Sequence, residues 1–443
     1  MSLKEQLLNS DKLLGVWGIG YIGLSSMANF ASNGVSCIGV DIDQQKVTLV
    51  NEGKMPQANM EYWLGFDIKP LVKAGKIRAT TDYKELLKDD VALHLICIPT
   101  EKGGSPYNEI LKNVFMQIAS FKHTMVSEPP LIIIESTLTP NTTKEVVLPV
   151  LEQNGFKPGK DILVGVAPRR DWFISPEKNL RTLPRVVGGT TPETTELMAD
   201  VLSIVCNTIL KASDHRHAEL VKSIENAFRH VDITLANQLS LAYSDIDMRE
   251  VLRLVGTKWN IETYHPSFGT GGYCIPLSSQ YVLSGTRHTE PLSILRAAIE
   301  SDQKMPDLVA KFVIKRGAKK VGILGLAYRG DLKVHTLSPT IKITELLQKK
   351  GIEVKVHDPY YSAAEIEDIL GTATFEFPSG LGEFDTVLLV SDHLEYRSTP
   401  QKIIIESLKN CKLLLNNTEL WKNIDFENHG IEHLIAGASG WLK

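Results

Sequence analysis

A glycine-rich turn between an apolar run and a helical segment constrains the fold of this chain more than any other feature. It follows the apolar run Leu13 to Trp17 and reads Gly18-Ile19-Gly20-Tyr21-Ile22-Gly23. In a strand–turn–helix unit such glycines allow a tight turn and let the backbone approach a pyrophosphate at the helix N-terminus. Asp41 ends the next apolar run, where a carboxylate can accept hydrogen bonds from an adenosine ribose and repel a 2′-phosphate. The pattern predicts NAD rather than NADP; a tight turn beside a surface aspartate is the alternative.

Apolar, β-branched runs alternate with helical segments from Leu13 to Val187. Continuous rather than alternating apolarity is typical of strands covered on both faces of a parallel sheet. The pattern restarts at Lys319, and a later strand of this second part ends in Asp358 as the earlier one ends in Asp41. We therefore predict an α/β chain with two Rossmann-like doubly wound domains. The predicted strands of the first are Leu13 to Trp17, Val35 to Asp41, Val91 to Ile98, Leu131 to Glu135, Ile162 to Ala167 and Arg185 to Val187.

A helical period separates the two α/β parts. Apolar residues recur every three or four positions from about Ala218 to Ala242 without Pro or Gly, which predicts one long amphipathic helix in a central helical domain. We expect a linker near Met305-Pro306. The predicted domains are residues 1–212, 213–308 and 309–443. The apolar stripe of the long helix consists of Leu220, Ile224, Phe228, Val231, Leu235, Leu239 and Ala242.

Composition excludes several classes of protein. The 443 residues carry a formal charge of −4 and no basic run, so we expect no nucleic-acid partner. No apolar stretch approaches the roughly 20 residues of a membrane helix. The N-terminus lacks a basic segment followed by an apolar core, and we expect a cytoplasmic protein without a membrane partner.

The cysteines and histidines suggest neither a disulfide framework nor a metal site. The five cysteines are far apart and show no CxxC or CxH spacing. His215 and His217 lie two positions apart, and we place them on a solvated helix start. Four cysteines are interpreted as small apolar filler, namely Cys37, Cys97, Cys206 and Cys411.

The fifth cysteine has different surroundings. Cys274 follows three glycines in a span of four residues, Gly269 to Gly272, and glycines leave room for a substrate. A thiol becomes a nucleophile when a nearby cation stabilises its thiolate; a structural cysteine is the alternative. Lys222 and Asn226 lie four residues apart on one face of the long helix, opposite most of its stripe. They project either into a cleft or onto an ordinary solvated face.

Together these segments resemble the UDP-glucose/GDP-mannose dehydrogenase family over nearly the whole chain. The resemblance implies a nucleotide-sugar 6-dehydrogenase that oxidises a C6 alcohol to a carboxylate with two NAD. It also implies a dimer built around the long helix, although its apolar stripe could equally be satisfied within the chain. The motifs are Ile98-Pro99-Thr100, Glu135-Ser136-Thr137, Val186 to Gly189, Lys222 to Arg229, Gly271 to Pro276, Leu324 to Arg329 and His357-Asp358-Pro359.

The resemblance also implies residue roles. Cys274 is the nucleophile that traps the aldehyde as a thiohemiacetal and later carries a thioester that water hydrolyses. Lys222 and Asn226 stabilise the oxyanions, contact the substrate and position water, which Thr137 helps to hold. The cofactor contacts are the glycine-rich turn, Asp41, Pro99, Thr100 and Thr137, and the substrate contacts include Gly271 and Gly272. Tyr328 and Arg329 match an aromatic-plus-basic pair of the C-terminal, UDP-sugar-binding domain, with Arg329 on the diphosphate or, alternatively, on the surface of a turn.

The chain departs from the family's pattern at three places. Ser278 replaces the aspartate of Cys-x-Pro-x-Asp, Arg169 replaces the glutamate of Ser-Pro-Glu, and Thr336 stands where an arginine is usual. We expect Arg169 to contact the substrate or to raise the positive potential at the thiol, and Asp171 to replace the missing acid. Three functions stay open. The first is four-electron oxidation of a UDP-N-acetylhexosamine or of UDP-glucose, and the Cys-Ile-Pro sequence favours the N-acetylhexosamine. The second is oxidation that stops at the aldehyde. The third is non-catalytic sensing of a nucleotide sugar or NAD.

Overall fold

The computed structural model describes residues 1–57, 59–120, 128–171 and 177–443. These residues form two compact units. Unit 1 comprises Met1–Glu225 and Gln280–Arg287, and unit 2 comprises Asn226–Ser279 and His288–Lys443. No helix in the described ranges is long and apolar enough to cross a membrane.

Unit 1 is built on an eight-stranded sheet with the order β10-β9-β8-β7-β4-β1-β2-β3. Its strands are parallel except for the antiparallel pair β8 and β9, and β5 and β6 form a separate small hairpin. The predicted strands are confirmed, and β3 and β10 extend the sheet at its two edges. The strands are β1 Leu13–Trp17, β2 Cys37–Val40, β3 Ile77–Thr80, β4 Val91–Ile96, β5 Glu101–Lys102, β6 Ser105–Pro106, β7 Leu131–Ile134, β8 Leu163–Val166, β9 Arg185–Gly189 and β10 Ile209–Lys211.

Both faces of this sheet are covered. Leu14 and Val16 of β1 pack in one apolar cluster, whereas Trp17 packs in another. This double burial is why the strands read as continuous apolar runs. The helices of unit 1 are α1 Leu3–Leu8, α2 Tyr21–Ser32, α3 Gln44–Asn51, α4 Met60–Leu64, α5 Lys69–Lys73, α6 Glu109–Ala119, α7 Leu148–Gln153 and α8 Pro192–Leu202.

Unit 2 contains a second parallel sheet with the order β12-β11-β13-β14-β15. The fold class is therefore as predicted, with two Rossmann-like domains and a helical region between them. The long helix α9 His215–Ala242 runs from unit 1 into unit 2. The elements that follow are α10 Met248–Val255, α11 Ile275–Ser284, α12 Ser293–Lys315, β11 Lys320–Leu324, α13 Pro339–Gln348, β12 Glu353–His357, α14 Ala363–Leu370, β13 Thr386–Leu389, α15 Leu394–Ser398, α16 Gln401–Ser407, β14 Leu413–Asn416 and β15 Glu432–Ile435.

The linker expected near Met305-Pro306 is wrong, because α12 continues through both residues. Proline removes one backbone donor from a helix and usually interrupts it. Here Met305, Pro306 and Val309 are all buried, and burial of this apolar face outweighs the lost hydrogen bond.

Helix α9 is confirmed, but its buried face is polar. The apolar stripe is exposed at Ile224 (39%), Phe228 (70%) and Leu235 (51%). Within the chain this stripe is therefore covered only in part, because Leu220, Val231 and Leu239 are half-buried. His215, expected in solvent, is also buried. The buried polar residues of α9 are His215, Glu219, Ser223, Asn226, His230, Thr234, Asn237 and Ser240.

Candidate functional site

The glycine-rich turn lies at the carboxyl end of β1, where open α/β sheets bind ligands. Gly18 has a φ of +86°, which a residue with a side chain rarely adopts. A Cβ on Gly23 would lie 1.8 Å from the Gly18 carbonyl oxygen, so this glycine lets α2 pack against the turn. A Cβ on Gly20 would have nothing within 4 Å, which leaves open space beside the start of α2 at Tyr21. The three glycines thus have three different roles, and the open cradle fits a pyrophosphate.

Asp41 is oriented by the turn itself. Its carboxylate accepts hydrogen bonds from the backbone N–H groups of Ile19 and Asp43, each at 3.0 Å. Lys46 Nζ lies 3.8 Å from the same carboxylate. Two backbone donors leave further lone pairs on the oxygens, as binding of ribose hydroxyls requires. Asp41 and the turn are therefore the residues that would hold NAD at this edge.

The structure brings two further predicted cofactor residues together. Thr100 is buried, and its hydroxyl donates to the backbone carbonyl of Thr137 at 2.6 Å. Tyr281, which sequence reasoning missed, donates from its hydroxyl to the Thr100 carbonyl at 3.0 Å. Pro99 is exposed and Thr137 half-buried. The Thr100 hydroxyl thus links the chain segments that follow β4 and β7. The cofactor contacts expected for Pro99, Thr100 and Thr137 stay predictions.

Arg169 is buried within unit 1, and its guanidinium is fully engaged there. Nε and Nη2 donate to the two carboxylate oxygens of Asp171 at 2.7 and 2.6 Å. Nη2 also donates to Ser25 Oγ at 2.8 Å. Nη1 donates to Ser26 Oγ at 2.5 Å and to the Ile22 carbonyl at 3.3 Å. Arg169 therefore supports the first turns of α2, just behind the glycine-rich turn.

A buried carboxylate completes this cluster. Glu135 accepts hydrogen bonds from Arg185 and from Ser26, and lies 3.8 Å from Arg169. Burial by itself would raise the pKa of Glu135, but the guanidinium groups of Arg185 and Arg169 hold that pKa below its usual value. The same balance of burial against Arg169 lowers the pKa of Asp171. Arg169 and Asp171 neutralise each other, which is at odds with the expectation that one meets the substrate and the other supplies an acid.

In unit 2, Cys274 is exposed and directly precedes α11. Its carbonyl accepts the first helical hydrogen bond, from Ser278 N at 3.2 Å, so the thiol lies at the partially positive end of a helix. The cysteines interpreted as filler are buried or half-buried, and burial raises the pKa of the Cys411 thiol to about 12. In the part of the chain that the structure describes, no three His, Cys, Asp or Glu side chains are grouped as a metal site requires.

Asn226 and Ser278, two positions that the sequence analysis singled out separately, are in contact. Asn226 Nδ2 donates to Ser278 Oγ at 2.9 Å, and both side chains are buried. The solvated-face alternative is therefore wrong for Asn226. Lys222 lies one turn earlier on α9, is half-buried, and forms no hydrogen bond or ion pair with the residues described.

The glycines before the thiol accommodate a protein side chain. A Cβ on Gly271 would lie 2.5 Å from Tyr328 Cβ, and one on Gly272 would lie 2.6 Å from the Tyr328 ring. Gly272 also has a φ of +83° and donates its N–H to the Thr336 carbonyl at 2.7 Å. The space that we expected a substrate to use beside these two glycines holds Tyr328.

Arg329 follows Tyr328 and is half-buried. Burial lowers the pKa of its guanidinium, against the attraction of Tyr328 and Asp392. Within the described ranges, no carboxylate lies at ion-pair distance from it. A partly desolvated cation without a paired carboxylate is suited to an anionic ligand such as a diphosphate.

The Arg169 cluster generates a stability prediction. Arg169→Ala leaves Glu135 and Asp171 buried with less positive charge, and we expect the free energy of unfolding to fall by about 3–5 kcal/mol. Urea denaturation followed by tryptophan fluorescence measures this change. Arg181→Ala, which removes an exposed arginine of the same unit, is the control and should change stability by less than about 0.5 kcal/mol. Unchanged unfolding of Arg169→Ala with a raised KM for a sugar substrate would instead favour the substrate contact.

The Tyr328 contact generates a second prediction. Gly272→Ala introduces both an unfavourable positive φ and a clash with the ring, whereas Gly351→Ala introduces the positive φ alone. We expect Gly351→Ala to cost about 1–2 kcal/mol and Gly272→Ala a further 1–3 kcal/mol or so, measured as free energies of unfolding. Equal losses for the two variants would mean that the ring moves aside freely.

Family models match most of the chain. The NAD binding domain of the UDP-glucose/GDP-mannose dehydrogenase family matches residues 12–205, its central domain residues 216–304, and its UDP binding domain residues 322–419. A UDP-N-acetyl-D-mannosamine dehydrogenase from Pyrococcus horikoshii is 26% identical over 92% of this chain and 96% of its own length. A UDP-N-acetyl-D-glucosamine 6-dehydrogenase from Pseudomonas aeruginosa is 26% identical over 88% of this chain and 92% of its own length.

A solved structure agrees with these matches. That of the UDP-N-acetyl-D-mannosamine dehydrogenase from Pyrococcus horikoshii aligns with a TM-score of 0.82 and 25% identity, covering 96% of this chain and 99% of the other. The glycine cradle and Asp41 in unit 1 agree with the matched NAD binding domain. The chain therefore belongs to the UDP-glucose/GDP-mannose dehydrogenase family and is an oxidoreductase with NAD as its cofactor.

Proposed function

We propose that this protein oxidises the C6 hydroxyl of a UDP-N-acetylhexosamine to the carboxylate in two successive two-electron steps. One sugar, two NAD⁺ and one water give one uronate, two NADH and three protons. The relatives named above are dehydrogenases of UDP-N-acetyl-D-mannosamine and UDP-N-acetyl-D-glucosamine, which puts these two substrates first and UDP-glucose after them. A division of roles among residues 1–212, 213–308 and 309–443 and a cytoplasmic location are part of the proposal.

NAD supplies the hydride acceptor for both oxidations. The thiolate of Cys274 adds to the intermediate aldehyde, and the resulting thiohemiacetal is oxidised to a thioester that water cleaves. Lys222 and Asn226 stabilise the negative oxygen that forms at each addition, and Thr137 helps to hold the water. Arg329 neutralises part of the diphosphate charge.

The observation that carries this proposal is the setting of Cys274. Its thiol is exposed at the start of α11, and one turn into that helix Ser278 fixes the buried Asn226 amide. A thiol forms a covalent adduct with an aldehyde and is also a good leaving group from an ester, so it suits both halves of a four-electron oxidation. A protein that only senses a nucleotide sugar has no use for an exposed thiol at a helix N-terminus.

Ser278 stands where the family has an aspartate, and this difference is the basis of the main alternative function. A serine hydroxyl forms hydrogen bonds but holds no negative charge near neutral pH, so it cannot act as the base that an aspartate would supply. If hydrolysis depended on that base, the thioester on Cys274 would not turn over, and aldehyde released before the thiol adds, with one NADH per sugar, would be the only turnover product.

We expect two NADH per sugar consumed when the protein is incubated with NAD⁺ and the preferred nucleotide sugar. The panel comprises UDP-N-acetylmannosamine, UDP-N-acetylglucosamine, UDP-N-acetylgalactosamine, UDP-glucose and GDP-mannose, with NADH read by absorbance and sugars by mass spectrometry. Cys274→Ser should abolish uronate formation, whereas Cys206→Ala, a buried thiol, should retain the stoichiometry. One NADH per sugar would establish the aldehyde as product, and no NADH with any sugar would support the sensor.

We also propose that the exposed apolar stripe of α9 is covered by a second copy of the chain. Phe228 and Leu235 lie on that stripe with 70% and 51% of their surface exposed. Large apolar side chains in a row along one helix are unusual on the free surface of a monomer. A homodimer would bury them.

Phe228→Asp tests the dimer, because it places a charge in the proposed apolar interface. We expect the wild-type protein to have twice the 49.2 kDa chain mass in light scattering after gel filtration, and Phe228→Asp to shift towards the chain mass. Leu394→Asp, at an exposed leucine of α15, is the control and should not change the mass. A wild-type protein that elutes at the chain mass would refute the dimer.

A further inference from the structure

A buried histidine and a buried aspartate in unit 2 have no part in the reaction described above. His230 on α9 is 1% exposed and Asp302 on α12 is 5% exposed. His230 Nε2 lies 3.2 Å from Asp302 Oδ2, which is ion-pair distance for a protonated imidazole, but the two atoms are not aligned for a hydrogen bond. Groups of this kind are costly to bury, so their contacts indicate what they hold in place.

Both residues contact the segment that carries the thiol. We call residues 270–279 the thiol segment. Asp302 Oδ1 accepts a hydrogen bond from Thr270 N at 3.0 Å, and the Thr270 hydroxyl donates to Oδ2. At the other end of the segment, His230 Nδ1 forms a 2.8 Å hydrogen bond with Ser279 Oγ. One histidine–aspartate pair therefore holds both ends of the thiol segment, with Cys274 between them.

The segment needs such restraint because of its sequence. Cys274 has an exposed side chain and Gly271 and Gly272 before it have none, so the position of the thiol depends on contacts made by neighbouring residues such as Thr270 and Ser279. An attacking atom must be held close to its reactive position, and a displacement of about 1 Å can cost roughly 100-fold in rate.

The helices that carry His230 and Asp302 are long and are hydrogen-bonded to each other. Helices α9 and α12 are 28 and 23 residues long. They are joined near the pair by a hydrogen bond from the Thr234 hydroxyl to the Ala298 carbonyl at 3.4 Å and by one from Gln238 Nε2 to Ser301 Oγ at 3.0 Å. A group held by packed helices is positioned more accurately than one held by loops.

We propose that His230 and Asp302 are positioning residues that fix Cys274 for attack on the substrate aldehyde. This inference rests on the proposed function of Cys274. The buried carboxylate that stabilises the thiol segment is thus on α12, and not at position 278 within the segment, where this chain has serine. Neither residue contacts the reacting atoms; they act through Thr270 and Ser279.

The test uses the full-length protein and a nitroxide spin label attached to Cys274 through a disulfide, with the labelled site verified by mass spectrometry. In the wild type we expect a restricted electron paramagnetic resonance spectrum. Asp302→Asn and His230→Ala should give a more mobile label. In the unlabelled variants kcat should fall roughly 10- to 100-fold, while KM for the nucleotide sugar changes by less than about threefold.

Further variants separate positioning from general damage. His230→Asn keeps a polar group for Ser279 and should recover part of both kcat and label restriction relative to His230→Ala. Glu432→Gln breaks an exposed ion pair of unit 2, with Arg316 at 2.7 Å, and should leave the label restricted. If Asp302→Asn does not fold, Thr270→Val and Ser279→Ala, each of which removes one contact of the pair, take its place.

The outcomes distinguish the two proposals. An unchanged label spectrum in the folded Asp302 and His230 variants, or in Thr270→Val and Ser279→Ala, overturns the positioning role whatever the activity. If Cys274→Ser still forms uronate, the proposed function fails, and label mobility then still decides whether the pair restrains the segment. A mobile label with unchanged kcat would refute a catalytic benefit of the restraint.

Discussion

The polar buried face of α9 is the constraint on which the rest of the structure depends. A buried polar group without a partner costs about 1–3 kcal/mol, so the hydrogen bonds that side chains on this face do form are important for stability. In unit 1, the Glu219 carboxylate accepts the backbone N–H groups of Asn141 and Thr143, both at 2.8 Å. In unit 2, Asn237 accepts the N–H of Ser267 at 2.7 Å. Each bond ties an irregular loop to one rigid helix.

Local sequence patterns predicted the parts of the fold that depend on local physics. The strands were identifiable because a strand buried on both faces must be apolar throughout, and the glycine-rich turn because only glycine satisfies its backbone and packing requirements. The helix period of α9 was equally clear. The period does not reveal what covers the apolar face, however, and in the structure Phe228 on that face is exposed. The inner face is largely polar because many of its side chains form hydrogen bonds with the loops and helices packed against it.

Contacts between residues far apart in sequence could not be read from spacing. Arg169 was expected at the substrate because it stands where the family has an acid, yet its partner Ser25 is 144 positions away. Gly271 and Gly272 were expected to make room for a ligand, and the group beside them is Tyr328. Pro306 was expected in a linker, since no local signal shows that the residues around it are buried. In each case a contact between distant parts of the sequence, which local patterns do not reveal, determines the position of the residue.

The distribution of charge explains how the chain remains compatible with an anionic substrate despite its departures from the family pattern. In unit 1 the cations Arg169 and Arg185 are paired with Asp171 and Glu135, so they add little net charge. At Ser278 a neutral hydroxyl satisfies an amide donor without bringing a buried negative charge. Lys222 and Arg329 are different, because neither has a carboxylate at ion-pair distance among the residues that the structure describes. Cations that no carboxylate of the protein neutralises are suited to an anionic ligand.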